Sequence, residues 1–172
     1  MLSAQTSRTV TQISALGLQS SEPLRTVIAD EPGCHYGPGP GSDVIVLAIG
    51  SLSDLQWLRY RRTRRTPFAV LSTDLPDLQE LMASLRVPYI TYGQGERAHI
   101  RIEQTEGCAY KISTPVGEIC LNLDWAWDAM DCLAAIGVGL ALRIPLESLV
   151  ERLETAAASK VRPLHVYQVK AA

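Results

Sequence analysis

Cysteine is scarce in this chain, and it is not arranged for chemistry. Four of the 172 residues are Cys, at positions 34, 108, 120 and 132, and no two form a Cys-x-x-Cys pair. The spacing excludes a zinc ribbon and a dithiol redox motif. Cys120 and Cys132 fall in apolar runs and are expected as buried thiols. His occurs only at 35, 99 and 165, too scattered for a His-rich metal site. The N-terminus has no apolar h-region, so cytoplasm is the expected location. No apolar run is long enough, without acidic interruption, to insert in a membrane. Neither sign of charge dominates: 16 basic residues face 18 acidic ones, net −2. Nothing favours bulk nucleic-acid binding. One local exception is Arg59 to Arg65, which holds five Arg. It reads as a solvated helix face, with an anion site or acidic partner as the sharper alternative.

What the chain does have is a core. It is 47% hydrophobic and 20% charged, ordinary for a globular domain. Its length suits one domain spanning residues 1 to 172. The stretch from Asn122 to Arg143 organises it. Leu133, Ile136 and Leu140, with Met130 and Val138 beside them, follow a helical period. Ala134, Ala135, Gly137, Gly139 and Ala141 let neighbours approach closely. A helix apolar all round belongs in a core. Its start carries Asp124, Asp128 and Asp131, which suit the positive end of a helix dipole.

In chain order, Val10, Ile13, Leu16 and Leu18 predict a short helix ending near Gly17, and Thr26 to Ala29 predicts a short strand. Residues 30 to 42 read as a Gly/Pro loop. It lacks Lys, and its three prolines remove amide donors, so it makes a poor phosphate cradle. Cys34 and His35 are adjacent candidate metal ligands without partners. Asp43 to Gly50 is a continuous apolar run, predicted as a central parallel strand. A helix capped at Ser51 or Ser53 and ended by Pro67 follows. Phe68 to Thr73 predicts a strand. Asp74 opens a helix with Leu78, Leu81, Met82 and Leu85 at helical spacing. Pro88 to Tyr92 predicts another strand. This alternation implies right-handed crossovers and a parallel sheet. Residues 99–103, 109–113 and 118–122 then alternate with period two, predicting a three-stranded antiparallel meander with one wet face. After the buried helix come an amphipathic helix from Pro145 and a strand-like piece, Leu164 to Val169.

At this point the residues resemble a known family. Val70-Leu-Ser-Thr-Asp-Leu-Pro-Asp followed by Val87-Pro-Tyr-Ile-Thr-Tyr-Gly is similar to the "VLNADDP … VPVITYG" passage of the Mur ligases. Within that family, the type adding the third residue of the peptidoglycan stem peptide is the nearest likeness. Asp128-Ala-Met-Asp-Cys-Leu-Ala-Ala-Ile resembles "HNVYNALAAI". Ile144-Pro-Leu-Glu-Ser-Leu, then Val161-Arg162, resemble "GIPLEDI … GR". The resemblance runs over residues 43 to 165. It implies an α/β fold, a P-loop or Rossmann-like Mur ligase central domain: a mostly parallel sheet flanked by helices, with the small meander attached.

In that family the central domain binds Mg-ATP and activates a carboxylate as an acyl phosphate for attack by an amine. The parts for this are depleted here. The family's Gly-Thr-Asn-Gly-Lys-Thr loop is matched only at Ala4 to Thr9, where Arg8 and Thr9 stand for Lys-Thr and both glycines are gone. Asp54 matches an acid whose His neighbour is missing, and no counterpart of the modified lysine is found. The nucleotide-contacting "HNxxN" becomes Trp127-Asp128-Ala-Met-Asp131, with both amides replaced by carboxylates. The flanking domains of the family are not expected in this chain.

The resemblance therefore implies a single, truncated, non-catalytic central domain acting as a binding or scaffold module, with no resident cofactor. Arg8, Thr9, Asp54, Asp74, Asp128, Asp131 and Arg162 are its vestigial nucleotide-binding positions. The expected partner is a protein of cell-wall metabolism or a second copy in a homodimer. Trp57, Trp125 and Trp127 are candidate interface anchors, with core packing as their simpler role. The alternative is an ATP-dependent amide ligase, or ligase subunit completed by another chain, which would use Mg-ATP. A third reading is an unrelated α/β module whose Gly/Pro loop at 33 to 41 binds a small ligand at the sheet's carboxyl edge.

Overall fold

The computed structural model describes residues 11–37, 43–47, 68–75, 78–85, 87–104, 109–122 and 126–160. The strands are β1 (Thr11–Leu16), β2 (Cys34–Tyr36), β3 (Val44–Leu47), β4 (Phe68–Ser72), β5 (Tyr89–Gly93), β6 (Ile100–Gln104), β7 (Ala109–Thr114) and β8 (Gly117–Asn122). The described helices are α1 (Glu22–Ile28), α2 (Leu78–Ser84), α3 (Ala129–Ala141) and α4 (Leu146–Lys160).

The eight strands among the described residues join one sheet in the order β2-β1-β3-β4-β5-β6-β7-β8. From β2 to β6 the pairing is parallel, with Ile13 opposite Val44 and Val44 opposite Phe68. From β6 to β8 it is antiparallel, and the tight turn at Pro115 and Val116 sets the register of β7 on β8. The α/β sheet and its meander are thus as the sequence pattern predicted.

The sheet divides two cores. On one face Ile13, Val46, Val70, Ile90, Tyr92, Ile100, Ile112 and Leu121 pack under α1, α3 and α4. On the other, Ala69 and Leu71 meet Leu78, Leu81 and Met82 of α2, with Leu85 just beyond its end. Helix α3 is the central piece, with every residue from Asp131 to Gly139 buried. Each large aliphatic side chain buried there contributes about 1.5–3 kcal/mol. A Cβ on Gly137 would sit 2.7 Å from Val70 Cγ1, so this glycine lets α3 lie directly on β4.

Three expectations fail at particular elements. Residues 11–16 form β1 rather than a helix, because Ile13 is needed in the sheet core between Tyr36 and Val44. Residues 26–29 close α1 rather than form a strand; Val27 and Ile28, with Leu24, make its buried face. The expected loop at 30–42 contains β2 at Cys34–Tyr36, an edge strand held by Gly37 O accepting from Gln12 Nε2 and Ser14 Oγ. Cys132 is buried as expected, but Cys120 is exposed, since alternation along β8 turns it to the wet face. That face carries the Arg101–Glu103 and Lys111–Glu118 ion pairs. The predicted helix at 51–66 and strand at 164–169 lie outside the described residues.

Candidate functional site

In a sheet ordered 2-1-3-4-5, ligands bind at the carboxyl ends of the strands, where the order reverses between β1 and β3. The connection leaving β1 at that edge is Gly17 to Ser21. Gly17 takes φ 78, which turns the chain out of the strand. Ser20 Oγ accepts the Glu22 N–H, and Pro23 sits in the first turn of α1. This strand–loop–helix unit is where a phosphate cradle is built in nucleotide-binding sheets.

Two of its backbone donors are already engaged. The Gln19 N–H donates to Asp131 Oδ1 at 3.2 Å, and the Ser20 N–H to Asp131 Oδ2 at 2.7 Å. Asp131 is only 3% exposed. It stands in the first turn of α3, whose N-cap is Asp128. The Asp128 carboxylate accepts from the N–H groups of Met130, at 2.8 Å, and Asp131, at 3.4 Å. Asp128 is therefore an ordinary helix cap. Asp131 goes further, bringing a negative charge into the loop. Burial raises its carboxyl above the usual aspartate range; the two loop N–H groups counter this, and the Asp128 charge adds to it.

The other acids gather nearby. Asp74 follows β4, exposed, with its N–H on Ser72 Oγ. The Tyr92 hydroxyl, buried near the end of β5, has its pKa pushed up by burial first and then by the charges of Asp131, Asp74 and Asp128. Among the described residues that hydroxyl makes no hydrogen bond of good geometry. The structure thus brings Asp74, Asp128 and Asp131 of the sequence-named positions to one carboxyl edge.

Trp127, half-buried, packs against the main core. The Lys160 ammonium lies 5.1 Å from the centre of its ring and pairs with Glu22. Arg8, Thr9, Asp54, Arg162, Trp57, Trp125 and the Arg59 to Arg65 run lie outside the described residues, as does the Gly/Pro loop beyond Gly37. Among the described residues, no group of three or more His, Cys, Asp or Glu that could hold a metal forms around Cys34 and His35 or elsewhere. No helix among them is long and apolar enough to cross a membrane.

Gln19 and Ser20 were not singled out from sequence. The signal was there: an apolar run, a Gly, then Ser-Ser-Glu-Pro, which is a strand end followed by a helix start.

No family model matches the chain. The UDP-N-acetylmuramate–L-alanine ligase of Myxococcus xanthus is 32% identical over 114 residues, covering 60% of this chain and 24% of that enzyme. The ligase of the same name from Sorangium cellulosum is 30% identical over 101 residues, covering 53% and 22%. Over that region the chain is a relative of the Mur ligases. The sequence likeness to the third-residue type thus meets matches named for the L-alanine type. In three dimensions, MurF from Acinetobacter baumannii superposes with a TM-score of 0.65 at 14% identity, covering 85% of this chain and 45% of that one. This likeness shows the shared α/β fold. The Mur ligase relative spans about a quarter of the length of the curated relatives it matches.

Proposed function

We propose that this Mur ligase relative is a non-catalytic binding or scaffold module linked to peptidoglycan metabolism. The observation that carries the reading is the Asp131 carboxylate on the Gln19 and Ser20 amides. An anion built into the chain takes donors that a bound phosphate would need. Asp74 and Asp128 add two more negative charges at the same edge. Phosphoryl transfer requires the opposite: preorganised donors and cations around the transferring group. Gln19 and Ser20 bring no cation to the loop, so the described residues do not fit Mg-ATP. With no nucleotide to turn over, the sheet serves as a platform for a protein of cell-wall metabolism or for a second copy in a homodimer.

One feature favours the alternative of an ATP-dependent amide ligase or ligase subunit. The strand–loop–helix unit is kept at the carboxyl edge. Calorimetric titration of the purified chain with Mg-ATP, paired with light scattering, separates the two. The proposal expects no binding heat at millimolar Mg-ATP and a mass of twice the chain. Binding in the micromolar range would reverse it in favour of the ligase subunit.

A further inference from the structure

The sheet ends at β8, whose outer side meets no strand among the described residues. The Asn122 N–H points to that side, donating to Glu154 Oε1 of α4 at 3.0 Å. Bonding groups alternate along an antiparallel pair, so the N–H and C=O groups of Glu118 and Cys120 face the same side. Helix α4 runs beside the whole strand: a Cβ on Gly117 would sit 3.9 Å from Leu146 Cδ2, and Glu154 reaches Asn122. Between edge and helix lies a groove of about 370 Å³. Half-buried Ile119 and Val150 form its floor. Glu147, Glu151 and Glu154, at helical spacing on one face of α4, form its wall. Among the described residues no cation pairs with any of the three.

We propose that this edge takes an extended basic segment of a protein partner as a further strand. An open edge satisfies its N–H and C=O groups by strand addition, and the neighbouring side chains select which strand enters. Here that selection is acidic. Every second residue of the incoming strand points towards α4. Lys or Arg at those positions lays its aliphatic stem on Ile119 and Val150 and brings its charge to the glutamates. Glu154 already shows that these carboxylates reach hydrogen-bonding groups of the edge. A second copy pairing β8 with β8 would set the same three glutamates against each other, so this edge favours a different, basic chain. The proposal deepens the binding-module reading and rests on it. The two fail separately: nucleotide reports at Gln19 and Ser20, a docked strand at Glu118 and Cys120, at the far end of the sheet.

The test is an amide-resolved NMR titration of the full chain with the peptide Ac-Thr-Lys-Thr-Lys-Thr-Lys-NH2 and, separately, with its Glu-for-Lys counterpart. The lysine peptide should shift the Glu118 and Cys120 amides and slow their hydrogen exchange. It should bind about tenfold more tightly than the glutamate peptide, the worth of one good charge-assisted contact. Glu147→Gln with Glu151→Gln should erase that preference; both side chains are exposed, so the fold stays. Cys120→Pro should abolish binding of the lysine peptide while keeping the parent's circular dichroism, because proline is tolerated where an edge N–H faces outward. Equal affinity for the two peptides, a preference that survives loss of both glutamates, or shifts confined to other amides would overturn the proposal. So would Glu118 and Cys120 amides that exchange slowly without peptide, since the chain's own residues or a second copy would then already hold the edge.

Discussion

Asp131 places a carboxylate in a nearly closed environment and finds two backbone donors there, 112 and 111 residues away in sequence. Truncation leaves those donors without their acceptor. Asp131→Ala is expected to cost about 1–3 kcal/mol, read by urea denaturation. The group also sets a pH dependence. Its pKa is higher in the fold than in the unfolded chain, because burial outweighs the loop N–H groups. The folded state then holds its proton more tightly, so this group's contribution to stability falls as pH rises through the raised value. Asp131→Asn should flatten that part of the stability–pH profile; an unchanged slope would reassign it to another group. The sequence showed an acidic cluster at a helix start, and that was enough to understand Asp128. It could not show Asp131 reaching the β1 to α1 loop, since no local pattern encodes a contact across more than a hundred residues.

At the scale of elements, long or strongly patterned segments were legible and short ones were not. The apolar run of α3 and the period-two alternation of β6, β7 and β8 each match one geometry only. Residues 10–18 carry apolar side chains that suit a helix or a strand. Tertiary pairing decided for β1, because Ile13 has sheet neighbours on both sides. Helix α1 has seven residues, three of them the β-branched Thr26, Val27 and Ile28, a composition that suits a strand. Cys120 was misjudged from an apolar neighbourhood when its alternation parity was the better guide. The tight seat of α3 on β4 gives a direct test. Gly137→Ala forces a Cβ to 2.7 Å from Val70 Cγ1, a branched side chain with little freedom. Overpacking of this kind costs about 1–3 kcal/mol, and a lowered urea midpoint at unchanged slope should report it. A variant as stable as the parent would mean that α3 can ride outward freely.

At the scale of the whole molecule, the strand order places the β1 connection, the end of β4 and the start of α3 along one carboxyl edge. In the curated relatives' family such an edge was expected to receive Mg-ATP. Here the same topology delivers three carboxylates and a loop two of whose amides, Gln19 and Ser20, are held by Asp131. The sheet order follows from patterning spread over many residues, whereas the proposed loss of the nucleotide site rests on Asp131 and its two amide partners. The most direct measurement is an amide-resolved NMR titration of the full chain with Mg-ATP, following Gln19 and Ser20. The account predicts that neither amide moves at millimolar nucleotide, because Asp131 holds both. Saturable shifts of these two amides at micromolar Mg-ATP would contradict it, showing that nucleotide displaces the carboxylate.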